Sequence, residues 1–88
     1  MEIEFDPAKD EANLAKHGRS LADGEIVFRD ADHLIVSAAR PQDGEARFKA
    51  IGLIGDRLHT AVFVRRGTAI RFISVRKSNA TEARAYPG

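Results

Sequence analysis

Arg57, Arg65, Arg66, Arg71, Arg76 and Lys77 fall within residues 57–77, a stretch without a single acid. Five of these six cations are arginines, whose planar fork meets a phosphate through two parallel hydrogen bonds, as a lysine cannot. Such a block raises the local potential and draws anions. The competing explanation is a solvated sheet edge whose charges discourage strand pairing, and charge count alone leaves the two open. Upstream, Glu45 and Arg47 form either a structural pair or a base with its orienting partner. Tyr86 offers a phenol that could stack on a base or donate to a phosphate, or else anchor the last helix. His17, His33 and His59 lack metal-ligand spacing. His17 falls in the last turn of an expected helix, where a cation satisfies terminal carbonyls. Phosphate-loop, dinucleotide and nucleophile-elbow motifs are absent, so neither metal nor cofactor is expected. Aromatic residues are only 7% of the chain, with one tyrosine. A nucleic-acid partner would therefore be held through its phosphates rather than by stacked bases.

These side chains must be positioned by 88 residues, enough for one modest core and one domain spanning 1–88. Hydrophobic residues at 43% and charged residues at 31% give a globular rather than a disordered balance. The net charge of +1 conceals a split: residues 1–32 hold four Lys/Arg against nine Asp/Glu, and residues 33–88 hold ten against four. With no cysteine, no apolar run of spanning length and no signal-peptide pattern, a cytoplasmic protein without disulfides is expected.

Met1 to Phe5 alternates and reads as a short strand or extended arm. Asp6-Pro7 opens a helix, with Asp as N-cap and Pro at the first helical position; it should run to His17 and end at Gly18. Ser20 caps a second helix with Leu21, Ile26, Val27 and Phe28 on its core face, weakened at Gly24 by about 1 kcal/mol. From Asp30 onward the pattern turns to strands: 33–39, a loop at 40–44, then 46–54 with Glu45 and Arg47 at its start. A Gly55-Asp56 hairpin follows, then 58–64, a second turn at Gly67, and 69–77. Simple alternation puts Arg71, Ile73, Val75 and Lys77 on one face and Ile70, Phe72, Ser74 and Arg76 on the other. Asn79 and Glu82 form the capping box of a short final helix. The expected fold is α+β: two N-terminal helices on a roughly four-stranded antiparallel sheet, with a short C-terminal helix.

Taken in order, the residues resemble the BrnT family of type II toxins. The matching pieces are Ile3 to Lys9, Asn13, Lys16-His17-Gly18, Ser20, Val27-Phe28, Gly44-Glu45-x-Arg47-Phe48 and Ile51-Gly52. They continue with Gly55-x-Arg57, Arg66-Gly67, Arg71-x-Ile73-Ser74-x-Arg76-Lys77, Glu82 and Tyr86. Three places depart from the family pattern. Pro41-Gln42 replaces a frequent His-Ser, Arg65 replaces a frequent acid, and Ala83 replaces a frequent arginine.

The resemblance implies a RelE-like fold and a ribonuclease toxin that blocks translation. It also implies a BrnA-type ribbon-helix-helix antitoxin, through which alone operator DNA would be reached. It carries Arg71, Arg76, Lys77, Glu45 and Tyr86 over as catalytic candidates, and Arg47, Arg57 and Arg66 as RNA-binding ones. Metal-free RNA cleavage needs the 2′-hydroxyl deprotonated, the leaving 5′-oxygen protonated and the phosphorane charge offset. Arg71 and Arg76 suit the last task, Glu45 or Lys77 the first, and Tyr86 the second. The alternative is a noncatalytic module whose basic sheet face binds nucleic acid or an acidic protein.

Overall fold

The computed structural model describes residues 1–40, 42 and 44–88; Pro41 and Asp43, in the loop expected at 40–44, lie outside the described residues. Along the chain run β1 (Glu2–Glu4), α1 (Pro7–His17), a 3₁₀ turn (Leu21–Asp23) and α2 (Gly24–Arg29). β2 (Leu34–Ser37), β3 (Phe48–Ile54), β4 (Arg57–Arg66), β5 (Ala69–Lys77) and α3 (Ala80–Ala85) follow. Asp6 caps α1 by accepting from the Ala8 N–H, Pro7 opens it, and Gly18 closes it at φ 71°.

The sheet has five strands in the order β1-β5-β4-β3-β2. It is mixed rather than antiparallel throughout, because β1 pairs parallel with β5, Ile3 lying opposite Ile70. Two-residue turns join β3 to β4 and β4 to β5. Gly55 and Gly67 have φ of 64° and 58°, and Asp56 and Thr68 have none above zero. Positive φ at the first turn position alone is the type II′ pattern, whose twist matches that of paired strands.

Only α1 is a full helix near the N-terminus. The second expected helix is a 3₁₀ turn running into the six residues of α2. The junction falls at Gly24, which is buried; a Cβ there would overlap the Phe72 ring. Gly24 is therefore a contact point rather than a weakness. It lets α2 settle on the sheet and close a core of Leu21, Val27, Ala50, Ile54, Ala61, Phe63, Phe72 and Val75. The Phe28 ring meets Phe63 and Phe72 edge-on at centroid distances of 5.3 and 5.9 Å.

Phe72 and Val75 share that core although they stand three apart. The β4–β5 register steps from Val62↔Ser74 to Phe63↔Phe72, leaving Ile73 as an extra, bulged residue. The bulge overturns the simple alternation expected for β5. Arg71, Ser74 and Arg76 share one face, while Ile70, Phe72, Val75 and Lys77 share the other. Beyond β1, the open edge of β5 is completed by a side chain. Asn13 of α1 donates to the Val75 carbonyl (2.8 Å) and accepts from the Val75 N–H (3.2 Å), standing in for a neighbouring strand.

Gly24→Ala would raise intrinsic helix propensity, yet the ring contact predicts a loss of about 1–3 kcal/mol. Urea unfolding checks this; equal or greater stability would contradict the packing.

Candidate nucleic-acid interface on the second sheet face

The face turned away from α2 carries Lys49 from β3, Thr60, Val62, Val64 and Arg66 from β4, and Arg71, Ser74 and Arg76 from β5. One part of it is covered by α3, and the contact is ionic. Glu82, 2% exposed, is held from every side. Arg76 reaches both its oxygens (2.8 and 2.9 Å), Lys49 donates at 2.9 Å, Thr60 at 2.9 Å, and the Asn79 N–H at 2.9 Å. The last bond belongs to the expected capping box, in which Asn79 also accepts from the Glu82 N–H (2.8 Å). Burial pushes the Glu82 carboxyl up, but the donors from Arg76, Lys49, Asn79 and Thr60 together outweigh it and hold the group well below the usual carboxylate range. The same bidentate pair raises the Arg76 guanidinium above its ordinary value.

The opposite corner, beside the β4–β5 turn, is organised loosely. Arg66 meets Glu45 at 3.1 Å with both side chains about half exposed. Arg71 meets Glu4 of β1 at 3.4 Å, with side-chain exposures of 31% and 43%. Exposed pairs of this kind contribute about 0–1 kcal/mol, so an incoming phosphate displaces the carboxylates at little cost. Taking Arg76 from Glu82 would strand a buried charge, at about 3–5 kcal/mol. The cations on this face thus differ in availability: Arg66 and Arg71 can exchange partners, while Arg76 and Lys49 are committed. Arg65 lies over the Phe48 and Phe63 rings at 5.3 and 5.6 Å. It occupies the α2 side and adds nothing to this patch.

The remaining candidates are scattered. Glu45 and Arg47 precede β3 rather than opening it, since the strand begins at Phe48; the half-buried Arg47 accepts the Ala38 N–H through its carbonyl. Arg57 and Lys77 sit at the far end of the sheet. Arg57 and Arg66 stand nine positions apart along β4, about 30 Å at strand rise, so the two cannot share a pocket. Tyr86 is at that far end too. Its hydroxyl donates to Asp30 at 2.5 Å, and Asp30 also accepts from the Leu53 N–H at 2.9 Å. The hydrogen bond to Asp30 pushes the Tyr86 phenol up to about 12 and, with the N–H groups of Asp32 and Leu53, lowers Asp30. A phenol so bound anchors the C-terminus and is ill placed to protonate a leaving group near Arg66. The eight candidates therefore do not converge: Glu45, Arg66 and Arg71 meet at one corner with Arg47 just before β3, Arg76 lies under α3, and Arg57, Lys77 and Tyr86 lie at the opposite end.

Sequence inspection missed Lys49 and Asp30, and saw Glu82 only as a capping residue. A lysine alone inside the apolar run of β3 was the available signal for Lys49. Among the described residues no group of three or more His, Asp or Glu could hold a metal, and no helix is long and apolar enough to cross a membrane.

A small α+β protein with a five-stranded sheet, a salt-bridged C-terminal helix and an exchangeable arginine corner is suited to holding a phosphate backbone. A family model described as the ribonuclease toxin, BrnT, of type II toxin–antitoxin systems matches residues 5–82. The chain belongs to this family, whose members are ribonuclease toxins with a protein antitoxin as partner. Comparison with curated proteins gives no match.

Arg76→Ala should cost about 3 kcal/mol of stability, because it strands the Glu82 carboxylate; chemical denaturation reads this, and a loss below about 1 kcal/mol would contradict the network. Because the Glu82 carboxyl is depressed in the fold, its contribution is complete above the ordinary value of 4.5 and is lost progressively as pH falls below it. The urea midpoint of the wild type should therefore drop on acidification more steeply than that of Glu82→Gln. Parallel pH profiles would contradict the assignment.

Proposed function

We propose that this protein is the endoribonuclease of a toxin–antitoxin pair, cutting RNA in the cytoplasm without a metal and so arresting translation. The site is the corner formed by Arg66, Arg71, Glu45 and Arg47, within a single domain spanning 1–88. One observation carries the placement. The carboxylates facing Arg66 and Arg71 are solvated and exchangeable, whereas the one facing Arg76 is buried.

A phosphodiester entering the corner takes the guanidinium groups of Arg66 and Arg71, whose donors then face the charge that grows on the phosphorane. Displacement from Arg66 frees the Glu45 carboxylate to accept the 2′-hydroxyl proton. The 2′-oxygen bonds to phosphorus, and the bond to the 5′-oxygen breaks, with solvent protonating the leaving oxygen. The products are a 2′,3′-cyclic phosphate and a 5′-hydroxyl. A BrnA-type ribbon-helix-helix antitoxin would neutralise the protein by covering this face, and operator DNA would be met only through that partner.

Induced expression should arrest growth and shorten cellular RNA. Arg66→Ala/Arg71→Ala should lower the cleavage rate by about 10²-fold or more while staying folded, because both side chains are solvated. Cleavage by the double variant at the wild-type rate would overturn the site. Salt-sensitive RNA binding by the wild type with no product would overturn the enzyme and leave a noncatalytic binding module.

A further inference from the structure

Between α1 and β5 lies an open groove of about 210 Å³ lined by Lys9, Ala12, Asn13, Lys16, His17, Ile73 and Ser74. Its walls follow from two local features. The spacing of Lys9, Asn13 and Lys16-His17 places them on one face of α1, and the buried amide of Asn13 pulls that face to the β5 edge through Val75. The floor is the bulge itself, Ile73 and Ser74. Ser74 lies on the sheet face that also bears Arg71 and Arg76, three residues along β5 from Arg71, so the groove borders the face of the proposed site.

Its charge is unopposed. Arg19, Arg29, Lys49, Arg66, Arg71 and Arg76 each sit within 4 Å of a carboxylate. Among the described residues Lys9, Lys16 and His17, like Arg57, Arg65, Lys77 and Arg84, have none, but these three line one groove together and no acid lines it. The nearby carboxylate of Asp10 is engaged by the Ser20 hydroxyl (2.9 Å) and the Leu21 N–H (2.6 Å). Nor do Lys16 and His17 hydrogen-bond the terminal carbonyls of α1; the Gly18 N–H caps the Leu14 carbonyl instead. Hydrogen-bonding the end of α1 is thus not what they do here. No aromatic residue lines the groove, so it offers no base stacking, while Ala12 and Ile73 supply an apolar wall suited to a ribose. At this volume it is smaller than a drug-sized site of roughly 300–1,000 Å³.

We propose that the α1–β5 groove is a second binding site for the RNA backbone, in which Lys9, Lys16 and His17 hold a sugar-phosphate unit next to the one held by Arg66 and Arg71. This rests on the reading of the protein as an RNA-directed ribonuclease, and deepens it by fixing the path of the strand: along the β5 bulge and up against α1, without preference for base.

The probe is a short single-stranded RNA with 2′-O-methyl groups, which binds but cannot be cut, followed by fluorescence anisotropy across a salt series. Lys9→Ala/Lys16→Ala/His17→Ala is compared with Lys9→Gln/Lys16→Gln, with Arg66→Ala/Arg71→Ala and with the wild type. The triple variant should keep the wild-type circular dichroism spectrum and unfolding midpoint, bind about tenfold more weakly, and show a salt slope shallower by roughly 0.7, the share of the one phosphate the groove holds. Wild-type affinity and slope in both groove variants, with weakened binding in the arginine variant, would overturn the groove alone. Loss of antitoxin binding with RNA binding intact would also overturn it. Absence of RNA binding by the wild type would overturn the functional reading and the groove together.

Discussion

A carboxylate that is almost wholly out of water sets the terms for the rest of this molecule. Glu82 is tolerated inside only because Arg76, Lys49, Thr60 and the Asn79 N–H all point at it. Those donors come from β5, β3, β4 and the start of α3. One ionised group therefore ties three strands and the last helix together. A helix of six residues has too little cooperative stability to persist on its own; its place on the sheet comes from this contact and from Tyr86, which fixes the chain beyond it to Asp30.

The same carboxylate sorts the basic residues by what they are free to do. A cation paired to a buried acid is part of the framework, whatever its chemical suitability for phosphate. A cation paired to a solvated acid, such as Arg66 or Arg71, can trade partners for little free energy. Function in a protein with few aromatics then depends on which guanidinium groups remain exchangeable. That consideration favours the β4–β5 corner over Arg76 and Lys77 at the end of β5.

Local signals were legible where local chemistry decides the outcome. Asp6-Pro7 and Gly18 bound α1, Gly55 and Gly67 mark both hairpins, and Asn79 with Glu82 opens α3. The family was legible from fragments spread over the chain, and the match over 5–82 bears it out. What escaped depends on partners distant in sequence. The parallel pairing of β1 with β5 made the sheet five-stranded and mixed. The close approach of Phe72 to Gly24 turned an apparent helix breaker into a packing requirement. A single bulged residue, Ile73, reversed the faces of half of β5, so that Arg71 and Arg76 share a side that strict alternation denies them. The candidate site suffered most, because residue type and spacing do not reveal that Arg76 is claimed by Glu82 or Tyr86 by Asp30.

The division between committed and exchangeable arginines is most directly tested by following arginine side-chain Nε–Hε resonances in ¹⁵N-edited spectra while a non-cleavable RNA is titrated in. Arg66 and Arg71 should shift in proportion to saturation, and Arg76 should hold its position and its slow hydrogen exchange. Movement of Arg76 with Arg66 and Arg71 unaffected would contradict the account.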